Sequence, residues 1–447
     1  MKPIIDVHAH IFNAMDIPIE GYLRSRSSES PKLLNFEYLT SFIPGPQLFT
    51  YLADRMRERC IARKLGLGKI GWIYGFLLWL FGLVKMEKLS DWERSLSSDV
   101  KTIASELVGT WEDIDLYVPL MIDYEYWFKN TIDNDIKNQI DLVSQIVLDF
   151  KGRIHPFAPF DPARELVFRH ELNNPDGQKE KYSSLQLVKD AIENKGFIGV
   201  KLYNSLGYKP LNNAAVEEQW KRMAVRNEKM QYLFKGEEYD GVLSELYDYC
   251  VENEVPITTH CGMYGIESYP DASFDFGKAI FWRDVLRQEK YKNLHLNLAH
   301  FGWNLKEGYY GKNSWVRDIC QMLNEYDYLF TDVACHRVIC YLSRRKYLSD
   351  YKKICQDYPI IKKRLLFGID WHVIKRVRNF KKFKYKYVRM LRHKNLFTED
   401  EIDNFLGGNA LNFLGLLPGG KNRVRLEKFY KDNNINQPEW FKFSNQP

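Results

Sequence analysis

Ile4-Ile5-Asp6-Val7-His8-Ala9-His10-Ile11 is the stretch from which the fold of this chain is read. Its run of apolar, partly β-branched residues predicts a strand. Residues two apart on a strand share a face, so His8 and His10 project together while Val7, Ala9 and Ile11 face the other way. Two imidazoles held side by side on a rigid strand are half of a metal site. The plainer reading is a pair of surface or hydrogen-bonded histidines. What the later strands carry at their ends decides between the two.

Further strand-like runs lie at 115–121, 154–160, 197–203, 256–261, 294–300, 328–333 and 365–370. Amphipathic helical stretches fall between them at 140–150, 185–193, 242–253, 278–288, 315–324 and around 347–357. Alternating strands and helices predict parallel pairing, because parallel neighbours need a crossover. Eight such units predict an α/β fold, a closed (β/α)₈ TIM barrel. A helix near 402–414 followed by Leu416-Leu417-Pro418-Gly419-Gly420 would close it. Residues 1–420 then make one barrel domain, with a large helical insertion after strand 1 (about 12–112) and a smaller one after strand 4 (about 207–240). A basic, aromatic tail, 421–447, follows.

With 45% hydrophobic and 27% charged residues in 447, the chain has material for a core and is not disordered as a whole. Its seven cysteines are odd in number and lack a C-x-x-C pair, which fits reduced thiols rather than a disulfide framework. With candidate ligands already at positions 8 and 10, no signal peptide is read at the start, and the expected compartment is the cytoplasm. Within the first insertion, Ile70 to Val84 is uncharged and apolar. As a helix it would rise roughly 22 Å, short of the ~30 Å hydrocarbon layer. It reads as a helical hairpin, buried in a subdomain or at a homodimer contact. Peripheral membrane contact is a second reading and a full span a third. Lys375 to Lys394 holds ten Lys or Arg and no acid. It reads as a solvated helix face, or as a basic rim for an anionic substrate or lipid headgroups. No recognised nucleic-acid motif accompanies it.

In an α/β barrel, functional groups gather at the C-terminal ends of the strands. There the sequence places His8 and His10 on strand one, Lys201 on four, His260 on five, His300 on six and Asp370 on eight. Each has a plain explanation, such as a helix cap for Asp370 or an ion pair for Lys201. Six at equivalent depth point to a metal site. His336, His372 and Arg337 fall on loops over the expected mouth and read as substrate contacts or as ordinary loop residues. His155 follows the start of strand three, on the wrong side for ligation.

Taken together, the segments IDVHAHIF, GVKLY, PITTHCG, LNLAHFG, LFGIDW and NALNFLGL resemble the amidohydrolase superfamily, in the amidohydrolase-related branch that includes aminocarboxymuconate-semialdehyde decarboxylase. The resemblance implies a distorted barrel with one or two divalent ions at the strand ends. It implies His8, His10, His260 and Asp370 as metal ligands, a set suited to Zn²⁺ and also to Mn²⁺ or Fe²⁺. Asp370 would also take a proton from water. His300 would act as a base and electrostatic partner, or ligate a second ion together with a carbamylated Lys201. One metal is the leaning, with Lys201 then free to hold a substrate carboxylate. The expected function is a metal-dependent hydrolase attacking the carbonyl carbon of an amide, ester or lactone in a small, anionic substrate. Non-oxidative decarboxylation of an unsaturated carboxylic acid is the alternative. A catalytically inactive binding or membrane-associated scaffold is the second.

Overall fold

The opening apolar run forms β1 (Ile5–Ala9), every residue of it buried. In this computed structural model the described residues are 2–18, 94–128, 132–173, 180–218, 220, 234–263, 265–268, 271–302, 310, 314–340, 345–371, 373–377 and 379–443. For Arg337, Val338, Arg376 and Phe443 the description covers the backbone only. The other strands are β2 (Leu116–Pro119), β3 (Phe157–Pro159), β4 (Gly199–Leu202), β5 (Ile257–Thr259), β6 (Leu296–Leu298), β7 (Leu329–Asp332) and β8 (Leu365–Leu366). All pair in parallel, β1 with β2, and β3 through β8 in sequence order.

Two seams join these sheets into a closed barrel. Between β2 and β3, Tyr117 bridges Ile154 and Leu120 bridges Phe157. Between β1 and the segment after β8, Val7 N–H donates to Phe367 O at 3.1 Å, Asp370 N–H to His8 O at 2.7 Å and His10 N–H to Trp371 O at 2.6 Å. The carboxylate of Asp6 adds to this second seam by accepting from the N–H groups of His8 and Ile369, each at 3.0 Å. The chain is thus a (β/α)₈ barrel, as the strand spacing predicts.

The outer helices start where short polar residues cap them. Helix α1 (Val100–Thr110) is capped by Asp99, α2 (Ile136–Asp149) by Asp135, α3 (Pro162–Leu172) by Asp161 with Pro162 in the first turn, and α4 (Ser184–Asn194) by Ser183. Next come α5 (Gly236–Glu252), α6 (Trp315–Glu325), α7 (Arg345–Asp357) and α8 (Phe383–Arg392). The expected helix 278–288 forms as a 3₁₀ turn, Ala279–Phe281, running directly into a short helix, Trp282–Leu286. The last expected helix is continuous from Glu399–Asp403 through a π-helical turn at Asn404–Gly408 into Asn409–Phe413. There the carbonyl of Pro3 occupies the space a Cβ on Gly407 would need.

Residues 421–443 of the tail pack on the barrel. Helix α9 (Lys421–Asp432) buries Leu426, Phe429 and Tyr430 against the end of the barrel where the strands begin. Asn422 Nδ2 donates to Ile198 O and Leu414 O, at 2.6 and 2.7 Å. Here His155 is clamped between Gly196 O and the Tyr430 hydroxyl, both at 2.7 Å, far from the mouth as expected. Burial lowers its pKa from 6.5 to about 4.

On α3, Arg164 is buried and meets Asp123 and Glu180 at 2.5 Å and Glu125 at 2.6 Å. This cluster ties the loop after β2 to the helix after β3. The apolar run 70–84 lies outside the described residues, as do 19–69 and 85–93 of the first insertion and 219 and 221–233 of the second. Among the described residues no helix is long and apolar enough to cross a membrane, and the six cysteines are free.

Candidate metal centre

Strand geometry brings His8 and His10 to the same side of β1, and Asp370 reaches them across the β1–β8 seam. Asp370 has a left-handed backbone, φ 63°, uncommon for a residue with a side chain and characteristic of functional turns. Its Oδ1 lies 3.4 Å from His10 Nε2 and 3.9 Å from His8 Nε2. All three groups are buried. Burial works to raise the Asp370 carboxyl, but His10 and His8 outweigh it and hold it well below the usual carboxylate range.

The partners on the far side of each ring fix its proton. His10 Nδ1 lies 2.9 Å from Leu120 O, and a carbonyl can only accept, so Nδ1 carries the hydrogen. His8 Nδ1 lies 3.1 Å from Asp332 Oδ2, which imposes the same choice. Burial lowers the His8 pKa to about 4, so the ring is neutral. His8 Nε2 is therefore a bare lone pair. It converges with His10 Nε2 and the Asp370 carboxylate in one buried corner, a donor set that a divalent cation takes. The donors, two imidazoles and a carboxylate, suit Zn²⁺, Mn²⁺ or Fe²⁺.

His300 stands beside this corner, its ring centre 4.6 Å from that of His8. It sits on a left-handed turn, φ 65°, followed by Phe301 at 47° and Gly302 at 61°. His300 Nδ1 donates to Ala334 O at 3.1 Å, leaving Nε2 to accept from His260 Nδ1 at 3.2 Å. His260 thus stands one ring further from His8 and His10, and its Nε2 is buried without a hydrogen-bond partner among the described residues. Lys201 Nζ is likewise buried, with no hydrogen-bond partner among them. Burial lowers its pKa to about 8, against the opposing pull of Asp332 and Asp370. Two buried polar atoms without a hydrogen-bond partner, an imidazole nitrogen and an amine, are what a site for an ion or an anionic ligand presents.

The structure adds Asp332, the last residue of β7, which sequence reasoning passed over although it obeys the same strand-end rule. His336 is fully buried behind the site. Its Nε2 donates to His300 O at 2.8 Å, and its Nδ1 accepts from the Tyr347 and Tyr387 hydroxyls at 2.8 and 3.2 Å. It backs His300 and does not line the mouth. His372 and the side chain of Arg337 lie outside the described residues. In the basic run, Lys375 is buried against Glu106 and Ser95, Lys384 pairs with Asp113 and Arg392 with Glu399. Helix α8 turns Phe383, Tyr387, Met390 and Leu391 inward.

Among solved structures, a metal-dependent hydrolase so described from Lactobacillus casei aligns over 93% of this chain and 95% of its own, at 13% identity and a TM-score of 0.46. A zinc-bound amidohydrolase from Burkholderia multivorans covers 72% and 90%, at 10% identity and TM-score 0.42. A 5-carboxyvanillate decarboxylase from Novosphingobium aromaticivorans, with manganese, covers 92% and 96%, at 12% identity and TM-score 0.43. No curated protein matches the chain. A family model described as amidohydrolase matches residues 183–416, more than half of the chain and the region from β4 to the close of the barrel. The chain belongs to the amidohydrolase family, and it is a metal-dependent barrel enzyme of that superfamily.

Proposed function

We propose that the chain is a hydrolase that directs water at the carbonyl carbon of an amide, ester or lactone. The observation carrying this reading is the convergence of His8 Nε2, His10 Nε2 and Asp370 Oδ1 in one buried corner. These three would hold one divalent ion, and His260, with its orphaned Nε2, would be the fourth donor. When bound, such an ion lowers the pKa of water and polarises a carbonyl.

The chain's own groups supply the rest. Water attacking a carbonyl carbon must lose a proton. Asp370, ionised throughout the neutral range, takes that proton at its carboxylate and returns it to the leaving group. His300, whose Nε2 accepts the His260 N–H while its Nδ1 donates to Ala334 O, orients His260 and leaves Asp370 as the acceptor of the water proton. Lys201, with no hydrogen-bond partner among the described residues, is the anion-binding group and favours a substrate with a carboxylate. His8, His10, Lys201, His260, His300 and Asp370 are all buried.

Elemental analysis of the purified chain, with assays on esters, lactones, N-acyl compounds and unsaturated acids, tests this. About one zinc or manganese per chain and chelator-sensitive hydrolysis are expected. Two ions per chain would assign Lys201 to a carbamate bridge instead. Release of CO₂ without hydrolysis would replace the reading with decarboxylation. No metal uptake would leave a scaffold.

A further inference from the structure

We propose that Asp332 is a positioning residue, whose single carboxylate sets which nitrogen of His8 faces the metal and pins the turn that carries His300. The proposal rests on the metal-binding role given above to His8.

Asp332 is fully buried at the end of β7. Its Oδ2 accepts from His8 Nδ1 at 3.1 Å and from Asn297 Nδ2 at 2.8 Å. Its Oδ1 accepts from His300 N–H at 2.9 Å and from Ala334 N–H at 3.0 Å. A carboxylate has about four lone-pair sites, and four donors fill them. Asp332, His8 and His300 also place ligand atoms within 4.8 Å of one another, which by distance could be a second metal cluster. The hydrogen-bond count decides against that. An ion there would displace the N–H groups of His300 and Ala334, and a buried unpaired N–H costs ~1–3 kcal/mol.

The two oxygens have different consequences. Through Oδ2, a neutral imidazole is held with its hydrogen on Nδ1, so its lone pair points toward His10 and Asp370. Which ring nitrogen is free is set by what the other one bonds, and no other group contacts His8 Nδ1 among the described residues. Through Oδ1, the left-handed turn at His300 is fixed at its entry, just as His336 fixes it at His300 O. Asn297, reaching Asp332 from β6, aims the carboxylate, so β6, β7 and β1 are coupled by one residue.

Two measurements test the role. In the full-length chain, Asp332→Asn should weaken Zn²⁺ binding 10–100-fold, read by competition with a chromophoric chelator, as loss of such outer partners does. Its circular dichroism in EDTA should match that of the wild type. Unchanged Zn²⁺ affinity overturns the proposal. Because the variant can fail to fold, the second measurement uses the wild-type, metal-free chain. Labelling with ¹⁵N-histidine, with His8→Gln to identify the resonance, should show His8 protonated on Nδ1. Protonation on Nε2 overturns the proposal. A wild-type chain that takes up no Zn²⁺ defeats the metal reading, while the ¹⁵N result still decides the part played by Asp332.

Discussion

Gly368 stands where the first and last strands meet. A Cβ there would lie 2.9 Å from the Cβ of His8 and 3.3 Å from that of Ala334. Its neighbours on both sides belong to strand-end segments, so neither yields easily. Gly368→Ala should cost about 1–3 kcal/mol of stability by overpacking and weaken Zn²⁺ binding, measured by urea denaturation and chelator competition. Asp370→Asn should abolish metal retention through dialysis, because it replaces the only anion of the three-atom corner with a neutral amide. That His8, His10 and Asp370 are neighbours was legible in the sequence for one reason: strand ends in a barrel share one mouth, so a list of polar strand ends is already a list of neighbours. Asp332 met that criterion too. What it does there consists of bonds to residues 324 and 35 positions away, and spacing along the chain does not carry that information.

Arg164 shows how an element is held by charge. Its guanidinium is enclosed by Asp123, Glu125 and Glu180, linking the β2 loop, helix α3 and the segment leading into α4. Breaking such a buried cluster leaves carboxylates without a counterion, and costs ~3–5 kcal/mol. Arg164→Met should lower the urea midpoint accordingly, with Zn²⁺ affinity unchanged because α3 supplies none of His8, His10 and Asp370. A variant as stable as the wild type would show that the cluster contributes nothing net. The strands and most helices were readable from periodicity and caps. The change of helix type within two of them, to 3₁₀ at Ala279–Phe281 and to π at Asn404–Gly408, was not, since apolar spacing does not report it. Within the π turn, the backbone of Pro3 lies where a Cβ on Gly407 would stand.

At the scale of the molecule, the floor of the barrel is built from the chain's last helices and is sensitive to acid. His155 is buried there as a neutral ring, its pKa lowered from 6.5 to about 4. Above pH 6.5 neither folded nor unfolded chain protonates it, and its contribution to stability is fully present. As pH falls toward 4 the unfolded state binds a proton that the folded state refuses, so stability drops by up to about 3 kcal/mol. His8 and His336, lowered to about 4 by burial, act in the same direction. The urea midpoint should therefore fall between pH 7 and pH 4.5, and His155→Gln should flatten part of that slope. A wild-type midpoint constant over this range would refute the assignment.

Closure itself carries a consequence for biosynthesis. The carboxylate of Asp6 bonds the backbone of Ile369, 363 positions later. At roughly 5–20 residues per second, a ribosome needs on the order of 20–70 s to deliver the strand that completes the circle. Throughout that interval the nascent first strand carries a bare edge beside its histidines. An unpaired edge is a template for the wrong partner, so stalled or truncated translation products of this chain should be the species that aggregate.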